Sequence, residues 1–425
     1  MPLAKWSKTC SPRCRCRSAA EVPRPTRKAF SLLLGSLVLF GVGANAQAGW
    51  LYVIAACLAG VVIAGVVMPK LAIKGIEVSR QVPMIATAGD PLYFEIVLAN
   101  RSGASKGPLS GADLFLGGSV FAAPRIKAKS SLDVAVEVRA PRRGEYPGGE
   151  VELVSGAPFG IARVRKRVNV ASGLLVHPRW IPLATFPLLE AASTPNEPIH
   201  ERARRGAGMD FYGLRDYRSG DSLRHIHWRS TAKGGRLLTR EYEEQLASRL
   251  TVLIDSSEDI GRESSTFEDS ISAAAALTMY ALDSGHPVQL FCESSGRTDH
   301  LFEPGKHEAL DWMARLSAGG RRGMARLAAE ATGEIFRRST SVLVFPSTER
   351  NVEEARQAVG ILQELSSRVI CIVISAHTYD PRAVTALRAQ SEEQLITGLA
   401  GSRAIVYKID EKEDQSEWLR MPSML

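Results

Sequence analysis

A chain of 425 residues and 46.1 kDa has room for two domains with additions, and 45% hydrophobic residues are enough for packed cores, which excludes a disordered or fibrous protein. The formal net charge is +8, yet Lys5, Lys8, Arg13, Arg15, Arg17, Arg24, Arg27 and Lys28 against Glu21 supply about +7 of it before the first apolar segment. The remainder is close to neutral and lacks the basic face of a nucleic-acid binder, so no nucleic-acid partner is expected.

Residues 1–28 read as a disordered basic tail. Its Cys10, Cys14 and Cys16 lack the paired spacing of a zinc site. Two uncharged apolar stretches follow, 29–46 and 50–68, separated by a turn around 47–49. Each is about long enough to cross a bilayer as a helix. Basic residues lie outside both, with Lys70, Lys74 and Arg80 after the second, so the pattern predicts a transmembrane hairpin over 29–69 with both ends cytoplasmic. Ala44-Asn45-Ala46 imitates a signal-peptidase site, but a second apolar segment follows at once, which favours the hairpin. Cys57 lies in that second segment, while Cys292 and Cys371 sit in apolar runs as core thiols.

From 70 to 177 the pattern has period two. Leu92, Phe94, Ile96 and Leu98 alternate with Tyr93, Glu95 and Val97, and Leu132, Val134, Val136 and Val138 with Asp133, Glu137 and Arg139. Turn clusters at 100–103, Gly117-Gly118 and Gly148-Gly149 separate such half-buried strands, which predicts a small antiparallel sandwich. A linker rich in Pro, Ala and Arg spans 178–208.

The segment 209–248 is different. Within 209–244 lie seven Lys/Arg, six Asp/Glu, two His and a Trp with no clear periodicity, a density that is costly to order unless it forms a site. Tyr217-Arg218-Ser219-Gly220-Asp221 reads as a turn, with Asp221 or Ser222 capping a helix from about Leu223. On such a helix Arg224 and Trp228 would be an (i, i+4) pair, guanidinium on indole. The run Tyr217-Arg218-x-Gly220-Asp221-x-x-Arg224-x-Ile226-x-Trp228, followed by Ala232-Lys233 and Arg240-Glu241, resembles the signature of the bacterial family named "domain of unknown function 58". Ser219 stands where that family has Pro, and Lys233 where it has Arg. Arg142-Arg143-Gly144-Glu145-Tyr146 and Ala157-Pro158-Phe159-Gly160 resemble the same family, with Ala157 in place of Asp. What the resemblance implies is association with MoxR-type AAA+ ATPases, in some cases with transglutaminase-like membrane proteins, and no agreed activity. Candidate partner-binding or structural residues are Arg215, Tyr217, Arg218, Gly220, Asp221, Arg224, His227, Trp228 and Arg229. Trp228 and Arg224 are expected to serve the fold, and Arg215 and Arg218 to face outward.

Beyond it, strands and helices alternate: strands at 250–254, 288–291, 342–345, 369–374 and 404–409, helices at 266–284, 310–316, 324–331 and 352–365. This rhythm predicts a parallel sheet flanked by helices over 249–411, before an acidic tail at 412–425. After the first strand, Asp255-Ser256-Ser257-Glu258-Asp259 resembles the metal-ion-dependent adhesion motif Asp-x-Ser-x-Ser of von Willebrand factor A domains, in which Asp255 and Ser257 would be ligands of Mg²⁺. Asp259 replaces the last Ser, and Pro346-Ser347-Thr348 lacks the Asp that would complete the sphere, so a hydrogen-bonded loop without metal is favoured. His225-x-His227 points its rings apart on a helix and has no companion ligands. No nucleophile elbow or phosphate-binding glycine motif is present, so no enzymatic activity is expected, a hydrolase being the remote alternative. The whole reads as a membrane-anchored cytoplasmic adaptor built from an N-terminal hairpin, a β-sandwich and a von Willebrand A-like α/β domain. The alternative is a Mg-dependent ligand-binding module.

Overall fold

Apolar segments without ionic side chains must satisfy their peptide groups internally, and both candidate spans do so as helices, α1 (Arg27–Ala46) and α2 (Gly49–Ile73). Both are long and apolar enough to cross a membrane. This computed structural model describes residues 24–183, 186, 211–217, 226–242, 249–261, 264–294, 296–336, 339–380, 382–383, 385–411 and 418, in two units, 1–177 and 178–425. The basic tail as far as residue 23 and most of the expected linker lie outside the described residues. Gln47, in the left-handed region at φ 47°, turns α1 into α2, and Ser36 Oγ donates to Ala55 O at 2.9 Å. α2 runs beyond its expected end because Lys106 Nζ donates to Leu71 O, satisfying a carbonyl of the last turn.

In the first unit β2 (Ile76–Gln81), β4 (Pro91–Asn100) and β7 (Ser131–Arg139) form an antiparallel sheet with β4 central. A second sheet holds β1 (Arg24–Pro25), β5 (Leu109–Asp113), β6 (Ser119–Ala123), β8 (Gly144–Ser155) and β9 (Ala162–His177) in the order β1-β9-β8-β5-β6, and β3 (Ile85–Thr87) runs parallel to β9. Alternation decides which face is buried. Leu92, Phe94, Ile96 and Leu98 of β4 point into one apolar core with Leu109, Phe121, Val151, Leu153 and Val170 of the other sheet.

Two expectations are corrected here. Gly148-Gly149 is no turn, because β8 runs straight through it with a bulge after Tyr146. Gly148 has φ 135°, and a Cβ there would lie 2.4 Å from Val170 O, so the glycine allows the sheet to stay closed where the strand is irregular. Arg80, read as a cation flanking the membrane, is buried instead. Its Nε and Nη2 donate to Asp113 Oδ2 and Oδ1 at 2.8 and 2.5 Å, Nη1 donates to Ser172 Oγ at 2.7 Å, and the guanidinium stands 4.3 Å from the Phe115 ring centre. Neither ionic side chain is exposed, and the pair joins β2 of one sheet to β5 of the other.

In the second unit β10 (Phe211–Asp216) pairs antiparallel with β11 (Leu238–Tyr242), and a short helix α3 (Trp228–Gly234) lies in their connection. The larger sheet comprises β12 (Leu250–Ile254), β13 (Val288–Ser294), β14 (Arg297–Phe302), β15 (Thr340–Pro346), β16 (Arg368–Ile374) and β17 (Ile405–Ile409), in the order β14-β13-β12-β15-β16-β17. All neighbours are parallel except β13 and β14. Helices α4 (Thr266–Asp283), α5 (Lys306–Arg315), α6 (Met324–Ala331), α7 (Glu349–Leu365), α8 (Ala376–Tyr379) and α9 (Ala389–Gly401) accompany it. Two separate apolar cores show that both faces are covered. One holds Val252, Ile254 and α4, the other Leu253, Phe345 and α7. The edge strand β14 was not foreseen, since only Leu301 and Phe302 of its six residues are apolar. Trp418, assigned to an acidic tail, is 5% exposed and belongs to the first of these cores. Cys292 and Cys371 are fully buried, and burial pushes the Cys371 thiol up to about 12, which makes it inert.

Because the Arg80–Asp113 pair has no contact with water, Asp113→Ala should destabilise the first unit by about 3–5 kcal/mol, leaving a buried guanidinium unpaired. A double Arg80→Met, Asp113→Leu variant should recover most of the loss. Denaturant unfolding in detergent, followed by circular dichroism, compares them; a loss below about 1 kcal/mol in the single variant would show the pair to be dispensable.

Candidate functional site

In an open parallel sheet the ligand crevice lies beyond the carboxyl ends of the strands, where the chain order reverses. Here that point falls between β12 and β15, the first and fourth strands of the sheet. It is occupied by the chain's own polar groups. Asp255, at the end of β12 and 3% exposed, accepts from Ser257 N at 3.0 Å on Oδ1 and from Ser257 Oγ at 2.9 Å on Oδ2. Asn351, in the first turn of α7, donates from Nδ2 to Asp255 Oδ2 and to Pro346 O, both at 2.9 Å. One amide thus bridges the ends of β12 and β15. The opposite amide orientation would set Oδ1 against a carboxylate and a carbonyl, so the hydrogen-bond network itself assigns the donor. Asn351 Oδ1 and Thr348 Oγ1 are buried without a partner among the described residues. Burial pushes the Asp255 carboxyl above its ordinary value, against the opposing bonds from Ser257 and Asn351.

Asp255 is bonded to groups of its own chain in this arrangement. A hard ion requires several fixed oxygens, and the place beside Asp255 is taken by an N–H donor. Asp259, standing where the adhesion motif has Ser, is turned away to the start of α4, where its Oδ1 accepts from Ser265 Oγ and from Phe267 N at 3.2 Å. Loop 317–323 lies over the same edge. Gly319 N and Gly320 N donate to Ser256 O at 2.7 and 2.9 Å, Arg321 N and Arg322 N donate to the Glu293 carboxylate, and Arg350 Nη2 reaches Arg321 O at 2.8 Å. A Cβ on Gly320 would lie 2.4 Å from Ser256 Oγ, so the loop can approach this closely only with glycine.

A second polar cluster extends the closure towards β17. Glu392, on α9 and 1% exposed, accepts from Ser347 Oγ at 3.0 Å and Ser375 Oγ at 2.6 Å, bonds His377 Nδ1 at 2.8 Å, and faces Lys408 Nζ at 3.4 Å. Ser347 Oγ also accepts from Ala376 N. Sequence reading missed this group, although the signal was present: Glu392, Leu395, Ile396 and Leu399 follow helical spacing, with a carboxylate on the apolar stripe. Asn351 was missed as well, and it offers no pattern beyond its position just after a strand end.

The charged motif is only partly described. Arg218, Gly220, Asp221 and Arg224 lie outside the described residues, as does His225. Arg215 lies in β10, its Cα opposite Thr239 of β11, and Tyr217 N donates to Leu237 O at 2.9 Å. The helix expected from Leu223 starts only at Trp228, because Ile226 is held in a bridge to Thr239 and His227 N donates to Leu238 O. The expected stacking of Arg224 on Trp228 involves a residue outside the described ones. His227 caps α3, its Nδ1 accepting from Ser230 N at 3.3 Å, and Gly235, at φ 64°, ends it with a bond from its N–H to Thr231 O. Trp228, expected to serve the fold, is 64% exposed, and Arg229 is exposed beside it. A cleft of about 300 Å³ lies elsewhere, lined by Asp299, Glu308, Asp311, Trp312 and Arg315, and Trp312 Nε1 donates into it to Asp299 Oδ2 at 3.1 Å.

Residues 213–382 match the model of a family described as "Protein of unknown function DUF58", which spans β10 to β16 and meets the family resemblance read from the charged motif. "Uncharacterized protein YeaD" of Bacillus subtilis (strain 168) is 24% identical over 177 residues, 41% of this chain and 42% of that protein. The chain therefore spans about two fifths of the length of that curated relative. Among solved structures, the CARDB domain of a Pyrococcus furiosus protein in complex with di-metal ions is similar over 24% of this chain and 86% of that chain, at 9% identity and a TM-score of 0.18. A Paenibacillus cycloisomaltooligosaccharide glucanotransferase complexed with cycloisomaltoheptaose is similar over 78% and 53%, at 10% identity and a TM-score of 0.16. At such scores neither likeness bears on the fold or chemistry of this chain.

Asp269 gives this edge a pH dependence. Burial raises its pKa to about 6, even though Tyr379 Oη donates to its Oδ2 at 2.5 Å. A carboxyl raised above its unfolded value favours the folded state while protonated. Stability is therefore highest below about pH 4 for this group and is lost as pH rises through about 6, by on the order of 3 kcal/mol. Asp269→Asn should flatten this part of the stability profile between pH 4 and 7 in thermal melts, and an unchanged slope would remove Asp269 as its source.

Proposed function

We propose that this protein is a membrane-anchored adaptor that docks a protein partner through the β10–β11 hairpin and performs no catalysis of its own. The exposed Trp228 carries this reading. An indole held outward by a capped helix costs solvation with no return inside the unit, and aromatic and arginine side chains in such positions dominate interface energetics. Trp228 and Arg229 are then the contact residues. The partner implied by the family resemblance is a MoxR-type AAA+ ATPase.

The architecture supports the same reading. We take the two-sheet unit as a β-sandwich spacer. We take the six-stranded sheet as a von Willebrand A-like domain whose cation position is filled by Asn351. The two apolar helices are read as a bilayer-spanning hairpin that leaves both chain ends cytoplasmic, where basic flanks are retained.

Trp228→Ala should change the unfolding free energy by less than about 0.5 kcal/mol, as an exposed substitution does. Capture of a purified MoxR-type ATPase by the detergent-solubilised protein should fall at least about tenfold. Normal capture by the variant would exclude the hairpin as the docking element.

Metal independence has its own test. Millimolar Mg²⁺ should leave the melting temperature of the unaltered protein unchanged. Asn351→Asp, which places two carboxylates together, should lower stability by roughly 3 kcal/mol and restore part of it with Mg²⁺. A rise of several degrees with Mg²⁺ in the unaltered protein, abolished by Asp255→Ala, would instead establish a cation-dependent ligand site.

A further inference from the structure

The β8–β9 turn is tied to both apolar helices. β1 pairs with β9, Arg24 opposite Arg163 and Pro25 opposite Ala162, so the chain enters α1 directly from the sheet. Thr26 then donates from N and Oγ1 to Ile161 O at 2.8 and 2.7 Å. On its other side Ile161, 1% exposed, packs on α2 at Gly65, where an added Cβ would lie 2.9 Å from the Ile161 side chain. The turn is thus pinned level with the first residues of α1 and with a point in α2 that precedes Lys70 by more than a helical turn of uncharged residues. Pro158 and Phe159 are exposed at its tip, Phe159 at 48%. Around them Arg27, Lys28, Lys70 and Arg163 are exposed, and no Asp or Glu occurs in 24–76 or 156–177.

We propose that residues 157–161 form an interfacial foot that rests in the bilayer surface, Phe159 entering the acyl boundary while Arg27, Lys28, Lys70 and Arg163 bind anionic lipid headgroups. An apolar ring rimmed by exposed cations, at the depth where the spanning helices leave hydrocarbon, has the chemistry of an interfacial anchor. The inference rests on the membrane hairpin proposed above. Its consequence is that the first unit is held against the membrane at one end of β9. The other end, where Leu175 N donates to the carbonyl of the exposed Met84, lies roughly 45 Å along an extended strand.

The test uses the full chain with Cys10, Cys14, Cys16 and Cys57 replaced, reconstituted in phosphatidylcholine vesicles with or without phosphatidylglycerol. An environment-sensitive fluorophore is placed at Phe159→Cys, at Leu37→Cys on the 68% exposed face of α1, and at Met84→Cys, 81% exposed. Expected is several-fold stronger quenching by a headgroup-proximal nitroxide lipid at position 159 than at 84, with protection from aqueous iodide. Phosphatidylglycerol should deepen it, and Arg163→Glu with Lys28→Glu should abolish that increment. Iodide quenching at 159 equal to that at 84, with lipid quenching at 37, would overturn the foot and leave the hairpin standing. Absence of lipid quenching at 37 would overturn the hairpin and the foot together. Insensitivity of 159 to phosphatidylglycerol and to the charge reversals would overturn the headgroup contact.

Discussion

A single side-chain amide joins the two central strand ends of the α/β unit. Asn351 Nδ2 spans the carboxyl ends of β12 and β15, binding Asp255 and the Pro346 carbonyl at once. In a sheet of this order that gap is where a ligand would enter. Loop 317–323 and the Glu392 cluster fasten the same edge with further internal bonds. Neither strand end can move apart without breaking this bridge.

The proposed contact surface lies away from this edge. Trp228 stands outward on a helix too short to persist by itself, held by a histidine cap at one end and a left-handed glycine at the other. Such a rigid outward aromatic loses little entropy on docking, which suits a contact surface. In the first unit the buried Arg80–Asp113 pair plays the corresponding internal role. It ties the two sheets across their apolar core, and its many bonds fix which strands face one another.

Much of the architecture was legible because burial imprints periodicity. Period two located β4 and β7, and the alternation of apolar runs with amphipathic helices located β12, β13, β15 and β16. What escaped had no such imprint. β14 is an edge strand with one face in water, Gly148-Gly149 carries a bulge with the composition of a turn, and Arg80 looks like a membrane flank until its partner Asp113, far along the chain, is known. The candidate loop was legible, but the residue it bonds across the sheet was not. Asp255 was found from its position after a strand, whereas Asn351, its cross-sheet partner, can be recognised only once β12 and β15 are known to be neighbours. In the charged motif local capping preferences favour helix through Ile226, but the bridge of Ile226 to Thr239 overrides them there.

The decisive measurement is site-specific photo-cross-linking in cells with the chain in its native membrane, a photoreactive residue replacing Trp228 in one strain and Ser257 in another. If the hairpin is the docking element and the crevice is closed, position 228 yields a discrete adduct with the AAA+ ATPase and position 257 yields none. An adduct at 257 with none at 228 would mean that the partner enters the sheet edge, and both the closure by Asn351 and the role of Trp228 would be wrong.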